Sequence, residues 1–230
     1  MYPANKILAM ALILTTMCFS LPGMAGSDGS VLRKAQRAGG WDFYLPLTYA
    51  EDAKIEGTHG SKVDINDDLG FGFGVGYNLN NHFQLGGLFN WNSRSYDATA
   101  TRDDGSTARY SNWLETSTIA LNGTYYILDS NITPFVSGML GYTWMDTNIQ
   151  DGPSSGYCWY DPWWGYVCSE YVPTKTASDL SYGAGLGVRF DINRAFSMQC
   201  SYNRAWIDID NASGTPYFNT WRLDFIFRMF

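Results

Sequence analysis

The chain has 230 residues and a formal net charge of −7, and this acidic balance argues against a nucleic-acid partner, which would need a basic surface. Aromatic residues make up 17% of the sequence, but charged residues only 16%, well below the roughly one quarter of an ordinary globular domain. The mean hydropathy of −0.21 is too polar for a bundle of membrane-spanning helices. A polar average with many aromatic residues is typical of a membrane barrel with a polar interior and an apolar outer band.

Residues 1–25 are predicted to be a cleaved secretory signal peptide. Lys6 supplies the positive start, residues 7–19 form the apolar segment, and Gly23-Met24-Ala25 resembles a small-residue cleavage site. The apolar run is too short to cross a bilayer as a helix, so an uncleaved anchor is the less favoured alternative. Residues 26–40 show no periodicity and are predicted to be a periplasmic N-terminal tail.

Apolar residues alternate with polar or small ones along most of the sequence from Trp41 onward, which is the pattern of half-buried strands. In the clearest segment, 69–79, the alternating partners are almost all glycine, and the same design returns at 180–190. Eight strands are predicted, an even number as a single-chain outer-membrane barrel requires. Their ranges are 41–50, 69–79, 83–92, 110–128, 133–145, 180–190, 196–203 and 217–230.

The connections between these strands fall into two length classes. Those after the second, fourth and sixth strands are short, at 80–82, 129–132 and 191–195. Those after the first, third, fifth and seventh are long and polar, at 51–67, 95–109, 145–178 and 207–216. This alternation is typical of short periplasmic turns and long extracellular loops. Residues 41–230 are therefore predicted to form one all-β domain, an eight-stranded antiparallel up-and-down transmembrane β-barrel.

A soluble up-and-down barrel is the competing fold, because alternation does not say which face points inward. The polar face here consists mainly of Gly, Ser, Asn, Thr and Gln instead of the Lys and Glu of a water-facing surface. The apolar face carries Trp41, Trp91, Trp144 and Trp221 near predicted strand ends, as an interfacial aromatic belt would. Both features favour the membrane barrel.

Three further features carry a resemblance to a known family: Ile132-Thr133-Pro134-Phe135 opening a strand, the glycine alternation at 183–187, and the terminal Phe230. With them, residues 41–230 resemble the small outer-membrane β-barrels of the OmpA, OmpX and OmpW type. The resemblance implies a bacterial outer-membrane location, contact with membrane lipids and lipopolysaccharide, and recognition of Phe230 by the barrel-insertion machinery. Phe230 is out of phase with Phe227, so the last strand is expected to end in a kink.

Charged residues interrupt the polar face of the first, sixth and last predicted strands. They are Asp42, Arg189, Arg222, Asp224 and Arg228. Because the first and last strands must pair to close a barrel, these side chains are predicted to form an ionic plug in the lumen. An ion or ligand pathway is the alternative.

The third long connection contains Cys158 and Cys168, which are predicted to form a disulfide in the oxidising exported compartment. Closing this loop would stabilise it by roughly 2.5–3 kcal/mol in the chain-entropy model. The disulfide would order a surface aromatic knob made of Trp159, Tyr160, Trp163, Trp164 and Tyr166. The knob could contact a surface partner, or cover the barrel mouth or the lipid headgroups. Cys200 is predicted to face lipid.

The two histidines, His59 and His82, fall in a long loop and a short turn, on opposite sides of the predicted membrane. They are too far apart to share a site, so no catalytic residue, metal or cofactor is expected. The sequence favours a non-enzymatic barrel with a structural or surface-interaction role, whose surface partner it does not identify. An OmpW-like passive channel for small molecules is the alternative, and a lipid A-modifying enzyme built around His59 is less favoured.

Overall fold

The computed structural model describes residues 33–56, 62–101, 107–208 and 215–230. The predicted signal peptide and His59 lie outside these residues. Residues Ala35–Phe230 form one compact unit. No helix among the described residues is long and apolar enough to cross a membrane.

The described chain is built from twelve strands. They are β1 (Trp41–Ala50), β2 (Ala53–Glu56), β3 (Lys62–Ile65), β4 (Asp68–Asn78), β5 (Phe83–Thr101), β6 (Thr107–Tyr126), β7 (Ile132–Gln150), β8 (Ser155–Asp161), β9 (Gly165–Tyr171), β10 (Thr174–Asp191), β11 (Phe196–Ile207) and β12 (Tyr217–Met229). Eight of them, β1, β4, β5, β6, β7, β10, β11 and β12, pair antiparallel in a closed ring. The ring closes where Trp41 of β1 lies opposite Met229 of β12. The predicted eight-stranded barrel is confirmed.

The alternation of the sequence corresponds to the two faces of the barrel wall. Phe71 and Phe73 are 57% and 62% exposed on the outside. The glycines between them face inward, where a side chain would not fit. A β-carbon at Gly72 would lie 2.1 Å from the carbonyl oxygen of Phe89, and one at Gly76 would lie 2.9 Å from Oη of Tyr44. The glycine row of β4 therefore makes room in the lumen for bulky side chains of the neighbouring strands.

Aromatic side chains pair across strands on the outer surface near both ends of the barrel. Near the long-connection end the cross-strand pairs are Phe71–Trp91 and Tyr202–Trp221, with ring centroids 5.2 and 4.9 Å apart, and Tyr142 and Trp144 lie 5.0 Å apart on the same strand, β7. At the opposite end Trp41 pairs with Tyr77 at 5.0 Å. Such aromatic girdles flank the apolar band of transmembrane barrels.

Three of the four predicted long loops were wrong in part, because much of each of the three is strand. Segment 95–109 belongs largely to β5 and β6, which remain paired as far as Thr101 and Thr107. Segment 51–67 contains β2 and β3, and segment 145–178 contains β8, β9 and the ends of β7 and β10. In these extensions the outward residues are polar instead of apolar. The side chains still alternate between the two faces of the sheet, but the alternation of apolar and polar residues that predicts a strand is lost.

Inward side chains at this extended end form an apolar cluster, which we call the upper apolar cluster. Its buried members are Ile65, Tyr96, Ala98, Leu114, Met145, Ile207 and Phe218. The β2–β3 hairpin continues the sheet from β5 and packs Ile55 and Val63 against it. The interior is therefore apolar at the long-connection end and polar below.

Candidate functional site

Charged side chains cluster inside the barrel at the end with the short turns. Asp42 lies at the start of β1 and is fully buried. Its Oδ2 is 2.9 Å from Nη1 of Arg189 on β10, and its Oδ1 is 2.8 Å from Nε of Arg228 on β12. The structure thus brings together three of the five charged residues that the sequence placed in the lumen.

Asp191 and Arg37 complete this group, which we call the lower ionic cluster. Asp191 accepts hydrogen bonds from Nε of Arg189 and Nε of Arg37, both at 2.8 Å. Arg37 is fully buried and also donates to the carbonyl oxygens of Asn81 and Ser130 in two short turns. Burial lowers the pKa of Arg37, and the nearby Asp191 opposes that shift. Part of the predicted N-terminal tail therefore lies across the barrel end.

Neutral side chains satisfy the remaining polar atoms around Asp42. Its Oδ2 accepts hydrogen bonds from Nδ2 of Asn78 at 3.0 Å and Nε2 of Gln84 at 2.7 Å. Nη1 of Arg189 donates to Oη of Tyr126 at 2.6 Å, and Oη of Tyr44 donates to Gln84. A buried charge is tolerated when it is both paired and hydrogen-bonded, and the lower ionic cluster meets both conditions.

Arg222 and Asp224, the other two predicted plug residues, lie one layer above this cluster. Nε of Arg222 is 3.0 Å from Oδ1 of Asp224, whose Oδ2 also accepts from Nε2 of Gln199 at 3.1 Å. The space beside them, lined in part by Tyr44 and Asn122, measures about 10 Å³. That is about the space one water molecule needs, so side chains fill this layer.

Between Arg222 and the upper apolar cluster the interior widens into a cavity of about 130 Å³, which we call the upper cavity. Most of the residues that line it are polar or charged, including Thr48, Asn90, Asn92, Arg94 and Arg222, and apolar side chains such as Phe218 line the rest. Nothing in the sequence pattern distinguishes Arg94, because it lies between a predicted strand that ends at 92 and a predicted loop that begins at 95.

The aromatic knob forms the β8–β9 hairpin, and the predicted disulfide between Cys158 and Cys168 is present. The hairpin is a separate two-stranded sheet that pairs with itself and not with the barrel wall. Asp161 accepts hydrogen bonds from the backbone N–H groups of Trp163 and Trp164 at 2.8 and 2.9 Å, which orders the turn. All five predicted knob residues lie on this hairpin: Trp159, Tyr160, Trp163, Trp164 and Tyr166. They are exposed, Trp163 at 88%.

The remaining candidate residues that the structure describes are His82, Phe230 and Cys200. His82 lies in the first short turn, with Nδ1 2.8 Å from the carbonyl oxygen of Tyr126. Among the described residues there is no group of three or more His, Cys, Asp or Glu side chains that could hold a metal ion. Phe230 follows the end of β12 and is exposed, with its ring 6.0 Å from the guanidinium carbon of Arg228. Cys200 lies on β11 outside the disulfide.

Together, the closed barrel, its apolar exterior and its aromatic girdles define a transmembrane β-barrel. The chain belongs to the family described as outer membrane protein beta-barrel domain, whose pattern matches residues 11–228. The protein is thus located in a bacterial outer membrane. The orientation typical of such barrels would place the short turns toward the periplasm and the long connections outside the cell.

Solved structures of similar fold include OprG of Pseudomonas aeruginosa, with a TM-score of 0.51, 12% identity, and coverage of 85% of this chain and 98% of OprG. The N-terminal barrel domain of OprF from the same organism has a TM-score of 0.49 and 9% identity, and the match covers 84% of this chain and 100% of that domain. Ail of Yersinia pestis has a TM-score of 0.48 and 14% identity, and the match covers 84% of this chain and 99% of Ail. At these identities the likeness concerns the fold alone. No curated protein sequence matches the chain.

Proposed function

We propose that this protein is a non-enzymatic outer-membrane scaffold that acts at the cell surface through its extracellular segments. The observation that carries the proposal is the β8–β9 hairpin, which holds exposed tryptophan and tyrosine rings on a disulfide-closed turn away from the barrel wall. Soluble surfaces rarely expose apolar groups of this size unless they contact something. Tryptophan and tyrosine are also the residues most enriched among the energetically dominant positions of binding interfaces.

Because the hairpin is held in one conformation, a role in binding a partner is better supported than a role in covering the barrel mouth. The disulfide and the two hydrogen bonds to Asp161 fix the turn before any partner arrives, which lowers the entropy lost on binding. A segment that merely covered the barrel mouth would need contacts with the wall, whereas Tyr160 and Trp164 are 77% and 83% exposed.

The barrel interior supports the scaffold over the passive channel. Asp42, Arg189 and Arg228 are held together by ion pairs of 2.8–2.9 Å, with Arg37 and the short turns beneath them. The upper cavity is the observation that favours a channel, but a solute leaving it toward the periplasm would have to break the lower ionic cluster. The enzyme alternative rested on His59, which lies outside the described residues.

Surface display tests the proposal. Bacteria carrying the wild type or the double variant Trp163→Ser, Trp164→Ser are assayed for attachment to immobilised glycans, extracellular-matrix proteins and lipid-coated surfaces. We expect the double variant to lose the attachment that the wild type confers. Lys54→Ser on the exposed β2–β3 hairpin is the matched control and should behave as wild type. Equal attachment by the wild type and the double variant would contradict the proposal.

Export and assembly are part of the same proposal. We expect the signal peptide to be removed before Gly26, and Phe230 to be needed for efficient insertion of the barrel. Mass spectrometry of the outer-membrane protein should find a mature N-terminus at Gly26. Phe230→Ala should lower the folded amount in the outer membrane, while Arg194→Ala, at an exposed position in a short turn, should lower it less.

A further inference from the structure

Arg94 is the one buried charge on β5, and its surroundings leave it unbalanced. Its side chain faces the upper cavity and is 4% exposed. Its Nε and Nη1 atoms are buried without a hydrogen-bond partner in the protein. The guanidinium carbon lies 5.0 Å from the ring centroid of Phe218, a contact that covers one face of the group but satisfies none of its N–H donors.

The acidic side chains of the lumen are already engaged by other arginines. Asp42 and Asp191 pair with three arginines of the lower ionic cluster, and Asp224 pairs with Arg222. Asp68 at the mouth of the barrel exerts a favourable charge interaction on Arg94, but the two form no ion pair. A buried guanidinium without a paired anion is costly in free energy, so the site favours a negatively charged occupant.

Two asparagines beside Arg94 are also unpaired. Both polar atoms of the Asn92 side chain, and Oδ1 of Asn90, are buried without a hydrogen-bond partner in the protein. The two side chains lie over the glycine row of β4: a β-carbon at Gly70 would be 2.9 Å from Nδ2 of Asn92, and one at Gly72 would be 2.6 Å from Oδ1 of Asn90. The glycines therefore give these amides room on the lumen side, where unsatisfied donors and acceptors face the same cavity.

We propose that the upper cavity binds a small oxyanion, held by Arg94 with the amides of Asn90 and Asn92. Arg222 also lines the cavity, but its charge is balanced by its ion pair with Asp224, so Arg94 is the charge that would hold the anion. A volume of about 130 Å³ admits a phosphate ion or a small carboxylate together with water. Because the asparagines offer acceptors as well as a donor, an anion that carries a hydroxyl hydrogen, such as hydrogen phosphate or a hydroxycarboxylate, matches the site best. The surface role of the β8–β9 hairpin is independent of this site.

The test is a titration of the folded full-length barrel in detergent micelles, with ionic strength held constant by potassium chloride. The observable is the Nε–Hε resonance of Arg94, assigned by its disappearance in Arg94→Lys. Phosphate, lactate and acetate are added in separate arms. We expect a saturable shift with at least one of them. Saturation by phosphate alone identifies a phosphate site, and saturation by lactate more tightly than by acetate identifies a hydroxycarboxylate site.

Variants separate binding from folding, because each is first shown to be folded by its altered gel migration before boiling. Isothermal titration should show that Arg94→Gln weakens binding by about tenfold or more, since it removes a charge-assisted contact. Asp68→Asn should tighten binding, because it removes a competing carboxylate. Arg204→Gln changes an exposed arginine bonded to Asn219 and should leave affinity within about twofold of wild type. An unshifted Arg94 resonance in all three arms, or unchanged affinity in Arg94→Gln, would overturn the proposal.

Discussion

Nε of Arg228 lies 2.8 Å from Oδ1 of Asp42, although the two residues are 186 positions apart in the sequence. They face each other directly in the ladder between β1 and β12, the first and last strands of the barrel. The same ion pair therefore spans the closing seam of the wall and forms part of the lower ionic cluster. One contact therefore contributes both to the closure of the sheet and to the closure of the lumen.

The first prediction concerns this contact. Asp42→Asn leaves Asp191 as the one carboxylate of the lower ionic cluster, facing Arg37, Arg189 and Arg228. Removing one partner of a buried ion network typically lowers the free energy of unfolding by about 3–5 kcal/mol. Urea titration of the barrel in phospholipid vesicles, followed by tryptophan fluorescence, measures this change.

Asp64→Asn is the matched control for that variant. Asp64 pairs with Lys54 at 3.6 Å on the β2–β3 hairpin, where both side chains are more than half exposed. An exposed pair of this kind contributes less than about 1 kcal/mol. If Asp42→Asn and Asp64→Asn unfold at the same urea concentration, the lower ionic cluster does not stabilise the barrel.

The second prediction compares the two faces of β6 at nearly one depth. Leu121 is 65% exposed on the outer surface, and its neighbour Asn122 lines the packed layer of the lumen. Lys at the bilayer midplane costs about 2–4 kcal/mol, so Leu121→Lys should destabilise the folded barrel by that amount. Asn122→Asp has the size of the native side chain and so does not crowd this filled layer; it should cost less, because the carboxylate faces a space that Arg222 also lines. Equal costs in the same vesicle unfolding assay would contradict this assignment of faces.

The third prediction separates the stability of the β8–β9 hairpin from that of the barrel. In the double variant Cys158→Ser, Cys168→Ser the hairpin should become a better substrate for chymotrypsin. The disulfide joins residues 10 positions apart, and its loss removes a constraint worth roughly 2.5–3 kcal/mol. The barrel should unfold at an unchanged urea concentration, since the hairpin pairs only with itself. Cys200→Ser is the control and should alter neither property. A large loss of barrel stability in the double variant would show that the hairpin packs on the wall.

The sequence predicted the wall of the barrel because the bilayer imposes a strict alternation there, as at Phe71 and Gly72. It predicted the disulfide for the same kind of reason, since two cysteines in one exported loop have few alternatives. It missed Arg37, because nothing in an aperiodic tail indicates that a side chain turns into the lumen. It missed the role of Arg94, because outside the membrane the outward neighbours of a strand residue are polar and the segment resembles a loop. Asp191 could have been predicted to face the lumen, because it lies two residues after Arg189 and therefore on the same face of the strand.

The last prediction is that the purified barrel conducts ions poorly or not at all in a planar bilayer. The interior of an eight-stranded barrel is only wide enough to be filled by side chains. Here a solute entering from outside would meet the upper apolar cluster, then the upper cavity, then the packed layer at Arg222 and Asp224, and finally the lower ionic cluster. Within that cluster, Arg37 also donates hydrogen bonds to the short turns.

Single-channel recording of the wild type beside Arg222→Ala, Arg228→Ala tests this sequence of barriers. The first substitution removes the guanidinium between the upper cavity and the packed layer, and the second removes the partner that Asp42 holds across the seam. Alanine fills neither space, so the double variant should show brief leakage events while the wild type remains silent. Lys54→Ala, Arg204→Ala has the same change in charge on exposed side chains and should be as silent as the wild type. A steady, large conductance from the wild type would reject the closed scaffold and favour the passive channel, because ions could then pass the lower ionic cluster without breaking it.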